Sequence, residues 1–188
     1  MCAADPGPAG TGVGRMNPRL VVIPVAALAV SQGAQAIVYL SVEQAQALMF
    51  PGQALTPLPL VLGAADIQAI EKDCGVRVYP GSLRAWQAAG GYFFTDSVVG
   101  KHDLINYAVA LAADGSVRQV EVLEYREAYG GQVRGGRWLA QFKGRHHGDP
   151  VRAGSDIQNI SGATLSSQHL TDGIRRLLAT YAIAIAGR

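Results

Sequence analysis

The segment INYAVALAADGSVRQVEVLEY, residues 105–125, predicts a β-hairpin. Two runs rich in β-branched and aromatic residues flank Asp114-Gly115, and an Asp-Gly pair is typical of a tight turn between antiparallel strands. Apolar residues do not alternate strictly in the second run, which predicts a bulge there: Val117, Val120, Val122 and Tyr125. The hairpin therefore indicates an antiparallel sheet.

Helices and further strands are predicted on both sides of this hairpin. A capping box at Ser41 begins one helix, and residues 66–73 and 137–143 predict two more. Apolar residues at helical spacing predict a C-terminal helix: Leu170, Ile174, Leu177, Leu178, Tyr181 and Ile183. Extended runs predict strands at 37–40, 58–62, 83–87 and 92–96. We therefore expect an α+β fold, a single domain with a small antiparallel sheet packed by helices.

Length and composition narrow the classes of protein to consider. The chain has 188 residues, of which 49% are hydrophobic and 16% charged, with a net charge of +2. One domain of ordinary size accounts for that length, and the balanced charge argues against nucleic acid as a partner. Cys2 lies in the N-terminal extension, so Cys74 has no partner for an intrachain disulfide in the mature chain.

The first 36 residues have the pattern of a secretory signal peptide. Arg15 and Arg19 precede an apolar run, Leu20 to Val30, and Ala34-Gln35-Ala36 is a small-x-small cleavage site. The apolar run is shorter than the about 20 residues of a membrane span. We predict export to the periplasm with cleavage after Ala36. The alternative is an uncleaved anchor that keeps the protein on the membrane.

The stretch with the clearest chemistry lies just before the C-terminal helix. Ser161 to Thr164 form a tight loop of small residues that leads into the helix N-terminus. Such a place offers backbone N–H groups and the positive end of a helix dipole to an anion. Gly162 and Ala163 let a ligand approach the backbone closely. The alternative is that the serines and Thr164 only cap the helix.

The motif Ser161-Gly162-Ala163-Thr164-Leu165-Ser166 resembles the S/T-G-A-T-x-S/T motif of the FMN-binding domain family. That family includes the flavin-carrying subunits of sodium-pumping quinone reductase and of the Rnf complex. The resemblance covers roughly residues 98–178 and includes further segments: Gly100-Lys101-His102, the hairpin, Tyr125 to Gly130, and Trp138 to Phe142. We therefore divide the chain into a signal segment, 1–36, an N-terminal helix/strand part, 37–97, and an FMN-binding region, 98–188.

In this resemblance Thr164 is esterified to the phosphate of FMN. The neighbouring residues would contact the cofactor: Ser161, Gly162, Ala163, Leu165, Ser166 and Ser167. Lys101, His102 and Arg126 are candidates to stabilise the reduced flavin, and Tyr125 or Tyr129 to pack on its ring. The alternative for both tyrosines is a place in the core or the hairpin. Exposed charges or ion pairs with Glu124 or Glu127 are the alternative for the basic residues.

Attachment would need a second protein. A threonine hydroxyl is a poor nucleophile without a base or metal, so Thr164 is predicted to be an acceptor and no residue of this chain to be catalytic. The resemblance implies a separate flavin transferase that uses FAD and Mg²⁺. The family often has an Asp three or four residues before the motif serine, where this chain has Ile157 and Gln158; its carboxylate is Asp156.

The predicted function is that of an exported FMN protein that carries electrons in a periplasmic redox chain. Its partners would be the transferase and redox proteins such as cytochromes or membrane enzymes linked to quinone. The alternatives are a flavin-dependent periplasmic reductase, with His102 or Tyr129 as acid, and a non-redox accessory protein. His146-His147 lacks a spaced third ligand, so no metal site is predicted.

Overall fold

The computed structural model describes residues 1, 7, 37–79, 81–126 and 130–187. Contacts divide the chain into two units, Met1–Ser31 and Gln32–Arg188, and every element below lies in the second. The predicted signal peptide lies outside the described residues, apart from Met1 and Gly7.

One antiparallel sheet of six strands organises the second unit, in the order β1-β6-β5-β4-β3-β2. The first strand therefore pairs with the last, and the other neighbours follow one another along the chain. The strands are β1 (Ile37–Val38), β2 (Thr56–Leu58), β3 (Arg84–Ala88), β4 (Gly91–Val99), β5 (Leu104–Ala112) and β6 (Val117–Tyr125).

The predicted hairpin is confirmed as β5 and β6. Ser116 donates its backbone N–H to the Asp114 carboxylate at 2.9 Å, and Gly115 has a φ of 83°. The register shifts between Asn106 and Tyr107 and again before Leu111, which confirms an irregular pairing. The strand predicted at 58–62 is instead Thr56–Leu58. It ends before Pro59, which cannot donate to a ladder, and Pro57 is tolerated because β2 is an edge strand.

The described residues form four α-helices: α1 (Val42–Met49), α2 (Ala64–Cys74), α3 (Gly136–Leu139) and α4 (Thr164–Thr180). α1, α3 and α4 pack on the sheet, whereas α2 packs on α4. The capping box is confirmed, since the Ser41 hydroxyl accepts from the Gln44 N–H at 3.2 Å and the Gln44 side chain accepts from the Ser41 N–H at 2.8 Å. α2 ends at Gly75, where φ is 67°. The 3-10 turn Ala140–Phe142 continues α3, and π-helical turns over Tyr181–Ala186 continue α4.

The two faces of the sheet carry different helices. Odd-numbered residues of β5, such as Tyr107 and Val109, lie in the core with Leu170 and Ile174 of α4. Even-numbered residues, Ala108 and Ala110, pack with Ala45 and Met49 of α1. The α+β fold is confirmed. No helix in the described ranges has the length and apolar character needed to span a membrane.

Candidate functional site

A hydrogen-bonded turn leads into α4. The Ala163 N–H donates to the Ile160 carbonyl at 2.9 Å, which closes a four-residue turn. Gly162 occupies the third position with a φ of 81°, a conformation that type II turns require and that L side chains rarely adopt. A Cβ on Gly162 would meet no atom within 4 Å, so the loop is open to a ligand on this side.

α4 begins without a side-chain cap. Ala163 is the N-cap residue, and no side chain in the described part of the chain caps this end of the helix. This helix end therefore contradicts the alternative in which the serines and Thr164 only cap the helix. The first N–H groups of α4 remain available to an acceptor. Because Ser161, Gly162 and Thr164 are exposed, an anion can reach those donors from solvent.

The two serines after Thr164 point into the protein. Ser166 and Ser167 are 4% and 0% exposed. The Ser166 hydroxyl lies 3.3 Å from the phenolic oxygen of Tyr125, and the Ser167 hydroxyl donates to the Thr164 carbonyl at 2.9 Å. Their hydroxyls thus hold the first turn of α4 in place, whereas Thr164 and Leu165 face outward.

Gly130 brings the segment after β6 against the motif. It has a φ of 90°, and a Cβ there would lie 2.5 Å from the Tyr125 hydroxyl and 3.1 Å from the Ala163 Cβ. Only glycine allows this approach, because both the backbone angle and the space exclude a side chain. The close approach of Gly130 therefore holds three residues together: Tyr125, Ala163 and Ser166. Glu127, Ala128 and Tyr129 lie outside the described residues.

Two side chains clamp the backbone just before the motif. The Trp138 indole N–H donates to the Gln158 carbonyl at 2.6 Å, and the Gln141 side-chain carbonyl accepts from the Gln158 N–H at 2.9 Å. Trp138 is itself buried. Asp156 lies two residues earlier, half-buried, and accepts from the Ser155 hydroxyl at 2.9 Å. The short helix α3 and the 3-10 turn that continues it therefore position the loop that carries Thr164.

The predicted basic residues fall in two places. Lys101 and His102 are exposed in the β4–β5 turn, which the Gly100 N–H closes by donating to the Asp103 carbonyl at 2.7 Å. Arg126 pairs with Glu124 at 2.9 Å, with 48% of its side chain exposed, which is the ion-pair alternative raised from the sequence. The structure buries Tyr125 in the core with its phenolic oxygen beside Ser166, which is the core alternative raised from the sequence, and leaves Arg126 in a surface pair.

His169 joins the β4–β5 turn to α4. Its Nδ1 lies 2.5 Å from the Val99 carbonyl oxygen and 3.1 Å from that of Gly100. Since both partners are acceptors, Nδ1 carries the hydrogen. The turn that holds Lys101 and His102 therefore lies against the second turn of α4. Sequence reasoning did not assign this role to His169, because its partners are distant in the chain.

A buried charge pair lies deeper under the same helix. Arg176 donates to the Asp96 carboxylate at 2.6 Å and Tyr107 donates to it at 3.0 Å. Burial raises the pKa of Tyr107 well above its ordinary value, and the Asp96 charge adds to this effect. Burial opposes the charge on Arg176, but attraction to the Asp96 carboxylate outweighs it, so the pKa of Arg176 is raised. Both groups therefore keep their protons, and the pair locks α4 onto β4.

Within the described ranges, no group of three or more His, Cys, Asp or Glu side chains could hold a metal ion. His147 instead lies 2.8 Å from the Asp73 carboxylate, and His146 lies near Asp114 and Asp149 at 3.8 and 3.9 Å. Cys74 is a buried free cysteine.

Comparison with protein families gives one match: residues 100–179 match the model of the FMN-binding domain. No curated protein matches the chain significantly. The matched segment begins at the β4–β5 turn and ends inside α4, so it contains every residue singled out as a cofactor contact. The geometry fits a phosphomonoester there, since the helix start is uncapped, the glycine loop is open and Thr164 is exposed.

Proposed function

We propose, on the premise that residues 100–179 form a domain of the FMN-binding domain family, that this protein is an exported electron carrier whose FMN is esterified through its phosphate to Thr164. Bound FMN supplies one- and two-electron chemistry. The observation that carries the proposal is the exposed Thr164 at the uncapped start of α4, inside the matched segment.

The loop and helix start would hold the phosphate. The free N–H groups of the first turn of α4 and the helix dipole favour an anion at this position. Gly162 leaves room beside Thr164, while Ala163 is held by Gly130 behind it. A phosphate bound here would be oriented by backbone donors that are already in place, which lowers the cost of ordering the site.

Attachment would be carried out by a flavin transferase, because a threonine hydroxyl needs a base and no side chain in the described part of the chain is hydrogen-bonded to that of Thr164. His169, the nearest histidine in sequence, uses Nδ1 to hold the β4–β5 turn. In the proposed step the Thr164 oxygen forms a bond to the FMN phosphorus of FAD while the pyrophosphate bond breaks. AMP leaves, and the hydroxyl proton passes to a base of the transferase, with Mg²⁺ balancing the phosphate charge.

The test is to produce the protein together with a flavin transferase, denature it, and measure covalent flavin by gel fluorescence and intact mass. We expect flavin in the wild type and in Thr56→Val, which removes the hydroxyl of an exposed threonine on β2 outside the matched segment, and none in Thr164→Val. Flavin that survives in Thr164→Val, or a colourless wild type, contradicts attachment at Thr164.

Export and electron transfer need their own measurements. N-terminal sequencing of the protein from a periplasmic fraction is expected to begin at Ile37. The reduced holoprotein is expected to be reoxidised rapidly by periplasmic cytochromes and slowly by a panel of small acceptors. Fast turnover of one small acceptor would instead favour a reductase.

A further inference from the structure

We infer that this protein binds a neutral hexopyranose, as a free sugar or within a glycan chain, in a cleft on the α1 side of the sheet. We call it the Trp86 cleft. It has a volume of ≈ 540 Å³, and it is lined by the residues that lead into α1, among them Leu40 and Ser41, and by residues at the start of β3, among them Ser82 and Arg84. This volume is typical of sites for small ligands.

The cleft lies on the face of the sheet opposite α4. On this face α1 packs against Ala108 and Ala110, in the second half of β5. Because side chains alternate along a strand, Asn106 lies on the same face, two residues nearer the start of β5. Asn106 is only partly buried, and it lines the cleft. The end of the face that holds Asn106 is therefore open to a ligand.

A hydrogen-bonded row of polar side chains forms the floor of the cleft. Ser97, Asn106 and Glu124 lie opposite one another on β4, β5 and β6. The Ser97 hydroxyl donates to the Asn106 side-chain carbonyl at 2.6 Å, and the Asn106 amide donates to the Glu124 carboxylate at 2.6 Å. The other carboxylate oxygen of Glu124 pairs with Arg126 at 2.9 Å. The row is therefore ordered before a ligand arrives, which lowers the entropy cost of binding.

The lining can both donate and accept hydrogen bonds. The Asn106 amide has a second N–H, the Thr95 hydroxyl can take either role, and the exposed Arg84 guanidinium donates. Glu43 adds a carboxylate at the rim. An anionic ligand would meet Glu43 and Glu124, and a cationic ligand would meet Arg84. The mixture favours a neutral ligand with hydroxyl groups, because each hydroxyl donates and accepts.

Trp86 gives the cleft an aromatic wall. Its ring packs edge-on against Phe93, with the ring centroids 5.5 Å apart, and the residue stays partly exposed where it lines the cleft. A pyranose ring presents C–H groups on its face, which pack on an aromatic ring, and hydroxyls around its edge. An aromatic wall beside a floor of amide, carboxylate and hydroxyl groups therefore matches a sugar ring.

The test follows the indole N–H signals of the two tryptophans by nuclear magnetic resonance while cellobiose, maltose or chitobiose is added to the isotope-labelled protein. At least one disaccharide is expected to shift the Trp86 signal to saturation, with a Kd in about the millimolar range. The Trp138 signal should stay in place, because its indole N–H is bound to the Gln158 carbonyl away from the cleft. Glucuronate and glucosamine, which carry opposite charges, should bind more weakly than glucose.

Two arginine variants test the site itself. Arg84 is exposed and forms no ion pair with another described residue, so Arg84→Ala is expected to fold normally. It should weaken disaccharide binding about 5- to 10-fold, as expected for the loss of one hydrogen bond. Arg137→Ala, at an exposed arginine of α3 outside the cleft, is the matched control and should leave the affinity unchanged.

Three results would overturn the sugar site: no saturable shift of the Trp86 signal with any of the disaccharides, equal affinity in the two arginine variants, or tighter binding of glucuronate or glucosamine than of glucose. Sedimentation of the protein with insoluble cellulose or chitin assigns the sugar to a glycan chain, and binding of soluble disaccharides alone assigns it to a free sugar. The cleft and Thr164 lie in different parts of the fold, so failure here leaves flavin attachment intact.

Discussion

The phenolic oxygen of Tyr125 lies 3.3 Å from the hydroxyl of Ser166, and both side chains are buried. This contact joins the last residue of β6 to the first turn of α4, 41 positions later in the chain. It fixes the helix start relative to the sheet, and with it the outward face that carries Thr164.

A double-mutant cycle measures this contact. We expect Tyr125→Phe and Ser166→Ala each to lower the free energy of unfolding, with a coupling energy of about 0.5–1.5 kcal/mol, the usual net contribution of one buried hydrogen bond. Urea unfolding of the two single variants and the double variant supplies the number. Fully additive effects would mean that the two hydroxyls do not interact.

Neighbouring glycines offer a matched comparison beside the motif. Gly130→Ala is expected to lower the free energy of unfolding by about 2–4 kcal/mol, because its Cβ meets Tyr125 and its φ is positive. Gly131→Ala should stay within about 0.5 kcal/mol, since no atom lies within 4 Å of its Cβ. Thermal or urea unfolding gives both values, and equal losses would contradict the close approach.

The buried ion pair should contribute far more to the free energy of unfolding than a partly exposed pair on the same helix. Asp96→Asn leaves the buried Arg176 charge without its partner, so we expect a loss of about 3–5 kcal/mol. Asp172→Asn breaks the partly exposed pair with Arg175 and should cost less than about 1 kcal/mol. Chemical unfolding at neutral pH compares the two, and similar losses would argue against a buried role for Asp96.

The free energy of unfolding should fall at alkaline pH because Tyr107 releases its proton more readily in the unfolded chain. Burial raises the pKa of Tyr107 in the folded state above its ordinary value of 10.0. Its stabilising effect is therefore fully present below pH 10.0 and is lost as pH rises toward the folded-state pKa, because only the unfolded chain releases the proton in that window. Tyr107→Phe should reduce the slope of unfolding free energy against pH above this point.

The control for that slope is Leu48→Ala, at an exposed side chain that carries no titratable group. This variant should keep the wild-type slope. Urea unfolding across the alkaline range decides the matter, and an unchanged slope in Tyr107→Phe would show that Tyr107 does not titrate with unfolding.

Features that depend on residues close in the chain could be predicted from the sequence. The Asp114-Gly115 turn, the capping box of Ser41 and Gln44, and the helix that follows Ser161 to Thr164 arise from hydrogen bonds or φ angles within a few residues. The motif residues were found in the same way, because a small-residue loop before a helix is itself a local pattern.

The contacts of these residues with distant parts of the chain could not be predicted from the sequence. Ser166 meets Tyr125 across 41 positions, His169 meets Val99 across 70, and Arg176 meets Asp96 across 80. Each pair depends on how α4 packs across the sheet, and no periodicity within one segment encodes that placement. The same holds for Trp138, whose indole binds the Gln158 carbonyl.

The amino-acid sequence by itself determined the α+β class, the central hairpin and the small-residue loop that leads into α4, because those features follow from turn chemistry and hydrophobic period. Only the tertiary structure decided that the serine hydroxyls turn inward, that Arg126 pairs with Glu124, and that a cleft beside Trp86 opens on the other face of the sheet. Burial and cavity shape are properties of packed surfaces that come from distant segments, so they exist only once the chain has folded.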